Sequence, residues 1–133
     1  MIDSKFLIDT SIWIKCFRGS DISLQSYISS IVIGKKAFIS EMIALEILRG
    51  AKSDKEYNML YEDLLALPNI ELTGEVWEIA WKISYKLRKK GVNAPVVDVL
   101  ISAIALHYKC TLLHCDKHFK LISEYTDLKE KEL

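Results

Sequence analysis

Four acids, Asp9, Glu46, Asp98 and Asp116, each interrupt or end an otherwise apolar segment. Asp9 closes the run Phe6-Leu7-Ile8, and Asp116 follows Leu112-Leu113-His114-Cys115. Glu46 and Asp98 stand inside apolar helical stretches, and no Lys or Arg is interleaved with Asp98. An ionised carboxylate in apolar surroundings persists only when it is paired or bound to a metal. Several carboxylates gathered in one place repel, and must take up protons or a cation. Oxygen donors select hard cations, so Mg²⁺ is the expected occupant, with Mn²⁺ as its substitute and waters or substrate oxygens filling the remaining positions. An ion held this way activates a water and neutralises charge on a phosphodiester. Phosphodiester hydrolysis is therefore the chemistry expected of Asp9, Glu46, Asp98 and Asp116 acting as one metal site.

Each acid also has a plain structural reading. Asp9 and Asp116 could be helix N-caps, Glu46 the polar position of an amphipathic helix, and Asp98 a favourable charge near a helix start after Pro95. Taken jointly, these readings need four separate accidents.

The remaining composition narrows the field. Lys plus Arg (18) equal Asp plus Glu (18), so the chain carries no global positive field for nonspecific nucleic-acid binding and no acidic block. No apolar run approaches the roughly 20 residues that span a bilayer, and Met1-Ile2-Asp3-Ser4-Lys5 lacks a signal-peptide layout. Cys16, Cys110 and Cys115 are odd in number and form no Cys-x-x-Cys pair. A cytoplasmic protein with no membrane partner is expected. The run His107, Cys110, His114, Cys115, His118 is rich in zinc-type ligands, but His114 and Cys115 are neighbours on a predicted strand and point to opposite faces.

The elements that must position the acids follow from punctuation and period. Phe6–Ile8 reads as a strand, and Asp9-Thr10-Ser11 as the cap of a helix carrying Ile12, Trp13, Ile14 and Phe17. A helix over about 23–33 stops at Gly34, and 37–39 reads as the next strand. Ser40 caps a helix over 42–48, with Glu46 in its middle. Ser53 and Glu56 form a capping box for a helix that runs to the break at Pro68-Asn69, and 70–72 reads as a strand. Val76, Ile79, Ala80, Ile83 and Leu87 recur at helical spacing. The segment 96–108 is apolar nearly all round, as in a central buried helix. Thr111–Leu113 is the last predicted strand, a short helix covers 117 to about 124, and the charged tail 127–133 is expected to be frayed or weakly helical. Alternating strands and helices predict a mainly parallel sheet covered on both faces. Sites in such sheets form beyond the carboxyl ends of strands, where Asp9 and Asp116 fall.

Asp9-Thr10-Ser11 after the first strand, Glu46-Ile47-Leu48-Arg49-Gly50, Asp98 heading Ile101-Ser102-Ala103-Ile104-Ala105, and Asp116 before Phe119 together resemble the PIN-domain nucleases. The likeness is greatest to the VapC-type toxins of type II toxin-antitoxin pairs. It covers essentially the whole chain and implies a single PIN-like, three-layer α/β/α domain over residues 1–133. It further implies a Mg²⁺-dependent endoribonuclease, acting on RNA, restrained by a small cognate antitoxin and commonly a homodimer. By this resemblance Asp9, Glu46, Asp98 and Asp116 are the metal-binding acids, and Ser11 or Thr10 is the hydroxyl that orients the first. A non-toxin PIN nuclease of RNA processing and a catalytically silent PIN-like binding module are the alternatives.

The chain departs from the resemblance around Asp116, where many relatives carry a Thr two residues before and a second acid two after. Here His114 and His118 stand in those places, and His118 is expected to be solvent-exposed. Arg49, Lys117 and the cluster Lys86, Arg88, Lys89, Lys90 are candidate phosphate contacts; for the cluster, interaction with a helix C-terminal dipole is an equal reading. Trp13 is expected in the core. A haloacid-dehalogenase-type phosphatase would need a second Asp where Ser11 stands, and no Gly-rich phosphate loop follows any strand.

Overall fold

Short apolar runs bounded by Gly, Pro and capping residues supply the strands. The structure, a computed structural model, describes residues 4–133 and places β1 (Phe6–Ile8), β2 (Ala37–Ser40), β3 (Asn69–Ile70), β4 (Thr111–His114) and β5 (Glu130–Glu132) in one five-stranded sheet, ordered β3-β2-β1-β4-β5. All its pairings are parallel. Leu7 pairs with Phe38 on one side and Leu112 on the other. β1, β2 and β4 bury nearly every residue, as expected of strands covered on both faces.

Helices α1 (Thr10–Arg18), α2 (Ile22–Ile33), α3 (Glu41–Arg49) and α4 (Asp54–Leu65) connect β1 to β2 to β3, moving outward along the sheet. The chain then crosses back through α5 (Gly74–Lys89) and α6 (Val96–Tyr108) to β4, and reaches β5 through α7 (Lys117–Ser123). Right-handed crossovers in opposite directions put α1–α4 on one face and α5–α7 on the other, and α1 packs on α3, α3 on α4, α5 on α6, and α6 on α7. This is the expected three-layer arrangement.

Helix starts follow local chemistry. Asp9, Asp21, Ser40, Ser53, Thr73 and Asp116 each cap a helix through a side-chain oxygen. α1 stops where Gly19 takes a left-handed conformation, φ 72°. The run Val99–Ala105 is wholly buried, so α6 is the central helix its composition implies. Among the described residues, no helix is long and apolar enough to cross a membrane.

Two boundaries differ from expectation. β3 sits at Asn69–Ile70 rather than 70–72, because Ser40 pairs with Ile70 and fixes the register there. The tail is neither frayed nor helical. Leu128 is buried, and Glu130–Glu132 pairs with Leu112–His114 of β4. The open side of β4 supplies main-chain partners to any extended chain, so a strand forms there without an apolar pattern to announce it.

Candidate metal centre

The sheet reverses its winding between β1 and β4, and both strands end at the same rim. Asp9 leaves β1 there as the N-cap of α1. Its Oδ2 accepts from the backbone N–H of Ser11 (3.0 Å) and from Ser11 Oγ (2.5 Å). Ser11 Oγ in turn accepts from the backbone N–H of Cys115 at 3.0 Å. One hydroxyl therefore orients Asp9 and ties the end of β1 to the end of β4. The neighbouring hydroxyl serves a different acid, since Thr10 Oγ1 donates to Glu46 Oε1 at 2.7 Å. The expected orienting role of Ser11 or Thr10 is thus divided: Ser11 holds Asp9, and Thr10 holds Glu46 from across α1 and α3.

Asp98 lies in the first turn of α6, and its side chain is 14% exposed. Asp116 caps α7, with Oδ1 accepting from the backbone N–H of His118 at 2.9 Å. Burial, the hydrogen bond and charge of Asp116, and the charges of Asp9 and Glu46 push the Asp98 carboxyl up to about 7. Burial also presses Asp116 upward, but the His118 N–H, the bond from Asp98 and the His118 ring outweigh it and hold Asp116 below its ordinary value. The two acids share a proton, and Asp98 is the one that keeps it. Asp98 Oδ2 is buried and has no donor among the described residues. A bond between the two carboxyls needs a proton held between them.

His118 is not simply solvated, as the sequence reading expected. Its Nδ1 is 2.8 Å from Asp116 Oδ1 and 3.4 Å from Asp98 Oδ2, and its ring is largely covered. Donor atoms of Asp98, Asp116 and His118 all lie within 4.8 Å of one another. Asp9 and Glu46 stand outside this group and reach Asp98 through their charge. The signal in the sequence was the spacing Asp116-Lys117-His118: an N-cap Asp that accepts from the second residue after it brings that residue's side chain alongside.

His114 is fully buried and fills a different role. Its Nδ1 accepts from the backbone N–H of Asp116 at 3.1 Å, so Nε2 carries the proton and donates to Glu130 Oε1 at 2.7 Å. β5 thereby supports the backbone that aims Asp116. Cys110, at the other end of β4, is buried and its thiol pushed up to about 11 by desolvation, against the opposing charge of Lys5.

Of the basic candidates, Arg49 and Lys117 are exposed. Lys86 donates to the carbonyl of Tyr125 at 2.7 Å, and Lys89 lies over the Tyr85 ring at 5.4 Å. Trp13 is buried, and Phe17 stacks on it with half its surface open.

A buried carboxylate oxygen with no donor, facing a second carboxylate and an imidazole nitrogen amid two further acids, fits a divalent cation. The donors are oxygens and one nitrogen, with no thiolate in the group.

The sequence matches the PIN domain over residues 6–125. The VapC ribonuclease Mb1587 of Mycobacterium bovis is 29% identical over 126 residues, covering 92% of this chain and 94% of the relative. The DNA-bound VapBC structure from Salmonella typhimurium superposes with a TM-score of 0.84 at 16% identity, covering 97% of this chain and 98% of that one. VapBC2 from Rickettsia felis, bound to a promoter DNA fragment, superposes with a TM-score of 0.81 at 19% identity over 96% and 98%. At these identities the solved structures speak to the fold.

Proposed function

The chain belongs to the PIN-domain family, and on that footing we propose that it is a Mg²⁺- or Mn²⁺-dependent endoribonuclease, the toxin of a toxin-antitoxin pair. The observation that carries the nuclease reading is the Asp98–Asp116 pair, in which a buried carboxylate oxygen lacks a donor and burial with three neighbouring acids holds the carboxyl near 7. Asp98 and Asp116 would hold the ion, with Asp9 and Glu46 adding negative charge around it. When bound, the ion supplies charge neutralisation at the scissile phosphate and an acidified water.

The chain's own residues do the positioning. Ser11 fixes the Asp9 carboxylate and the end of β4 together, so the acids from two strand ends keep one spacing. Thr10 fixes Glu46, and His114 fixes the Asp116 backbone. To hold a cation Asp98 would have to release its proton, so binding near neutral pH would be linked to proton release. Exposed Arg49, one turn beyond Glu46 on α3, and exposed Lys117, beside Asp116, would contact phosphates of an RNA strand.

The toxin reading draws on the relative named a VapC ribonuclease and on the VapBC structures of the same fold, VapBC being a family of toxin-antitoxin systems. It is also supported by a mainly apolar groove of about 450 Å³, lined by Trp13, Phe17, Val32, Leu64 and Leu67 with Lys35 and Asp63 among them. An amphipathic antitoxin segment would bury its apolar face there. The test is RNA cleavage by the purified chain. Cleavage is expected with Mg²⁺ or Mn²⁺ and lost on chelation or in Asp98→Asn. Undiminished cleavage in excess EDTA with metal-free reagents would overturn the assignment.

A further inference from the structure

His118 is the second residue of α7, where the Asp116 cap turns its ring back onto the acids. Nδ1 approaches Asp116 Oδ1 and Asp98 Oδ2 together, at 2.8 and 3.4 Å. The three side chains come from the first turn of α6, the end of β4 and the first turn of α7. Their donor atoms already lie within 4.8 Å of one another, so an ion needs only small side-chain shifts and the Nε2–H tautomer of His118, in which Nδ1 no longer donates to Asp116. The other two histidines are engaged elsewhere. His114 uses both ring nitrogens on Asp116 and Glu130, and His107, late in α6, lies 3.8 Å from Glu75.

We propose that His118 ligates the metal through Nδ1 and turns the site's preference from Mg²⁺ toward Mn²⁺. The proposal rests on the metal-dependent reading above and adds a ligand and a selectivity to it. Mg²⁺ takes oxygen ligands and retains its waters, so an imidazole nitrogen within the first coordination sphere is of little use to it. Imidazole suits the later first-row ions best, and Mn²⁺, the lowest of that series, keeps the taste of Mg²⁺ for carboxylate oxygen while accepting a nitrogen that Mg²⁺ does not use. Asp98 and Asp116 alone would not discriminate strongly between the two ions; the nitrogen does.

The full chain, stripped with EDTA, would be titrated with Mn²⁺ by electron paramagnetic resonance and with Mg²⁺ in competition. Pulsed measurements on the bound Mn²⁺ would then detect or exclude a coordinated imidazole nitrogen. Wild type is expected to favour Mn²⁺ and to show the nitrogen signal. His118→Asp, which restores an oxygen donor, should still bind Mn²⁺ without that signal and narrow the Mn²⁺-to-Mg²⁺ affinity ratio by about 10-fold or more, the scale seen when a metal's surroundings are altered. Bound Mn²⁺ in wild type with no nitrogen signal, or an unchanged ratio in His118→Asp, overturns the proposal and leaves the nuclease reading standing. Wild type that binds neither ion overturns both.

Discussion

Replacing Asp98 with Asn keeps the side chain's shape and removes its charge, so the variant isolates what that charge costs the metal-free fold. The Asp98 carboxyl rises from 3.8 to about 7, roughly three units, and each unit is about 1.4 kcal/mol. The full shift would amount to about 4 kcal/mol; Asp116, which shares the proton and is held low, returns part of it, leaving an expected effect on the order of 2 kcal/mol. The sign follows from proton counting. The folded state holds the proton more tightly than the unfolded chain, so this contribution to stability is complete below about pH 4 and is lost as pH rises through about 7. Asn has no such dependence. In EDTA, Asp98→Asn should therefore melt above wild type, by a margin that grows between pH 4 and 7 and is constant beyond. For a chain of this size about 1 kcal/mol corresponds to several degrees, so the margin at pH 8 should be near 10 °C. Added Mg²⁺ stabilises whichever protein binds it, and should raise wild type far more than the variant. Thermal melts at pH 5 and pH 8, with and without Mg²⁺, decide the matter. A variant that melts below wild type by the same margin at both pH values, with equal gains from Mg²⁺, would refute the reasoning and make Asp98 an ordinary structural residue.

Ser11→Ala strips Asp9 of one donor and leaves the Cys115 N–H without its acceptor. It should cost about 1–3 kcal/mol in urea unfolding and weaken Mn²⁺ binding as well; loss of neither would show that the hydroxyl does not couple the two strand ends. Glu130→Ala removes the partner of a fully buried His114 and should weaken metal affinity by about 10–100-fold while the sheet persists by circular dichroism; unchanged affinity would detach β5 from the site. Production of the chain without a partner should slow bacterial growth, and Asp9→Asn should relieve this while the protein stays folded. Equal inhibition by the folded variant would contradict a nuclease toxin.

The strands and helices around the site were legible because each is bracketed by breakers and carries its own apolar period, from Phe6–Ile8 to the all-apolar Val99–Ala105. The four acids stood out because their neighbours are apolar. Which of them would pair was not legible: the distance from Asp98 to Asp116 depends on where the start of α6 lands against the end of β4, which is a tertiary matter. His118 was missed because its direction is set by the backbone of the Asp116 cap, not by the residues flanking it. β5 was missed because Glu130-Lys131-Glu132 has no strand pattern; its pairing comes from β4, and its reach into the site comes from a single buried contact with His114.

The two outermost strands also limit how other chains can join this one. On one side the sheet ends in β3, only two residues long, and on the other in the alternating charges of β5. A foreign strand laid along β3 would find few main-chain bonds, and along β5 it would meet Glu130, Lys131 and Glu132 in turn. Recruitment by strand addition, and the runaway stacking that follows from it, are both discouraged. Association is left to the helical surfaces, where Phe17, Met59, Leu65, Trp81 and Tyr85 are open to solvent, so a partner can bind and be withdrawn without the central sheet being extended or rebuilt.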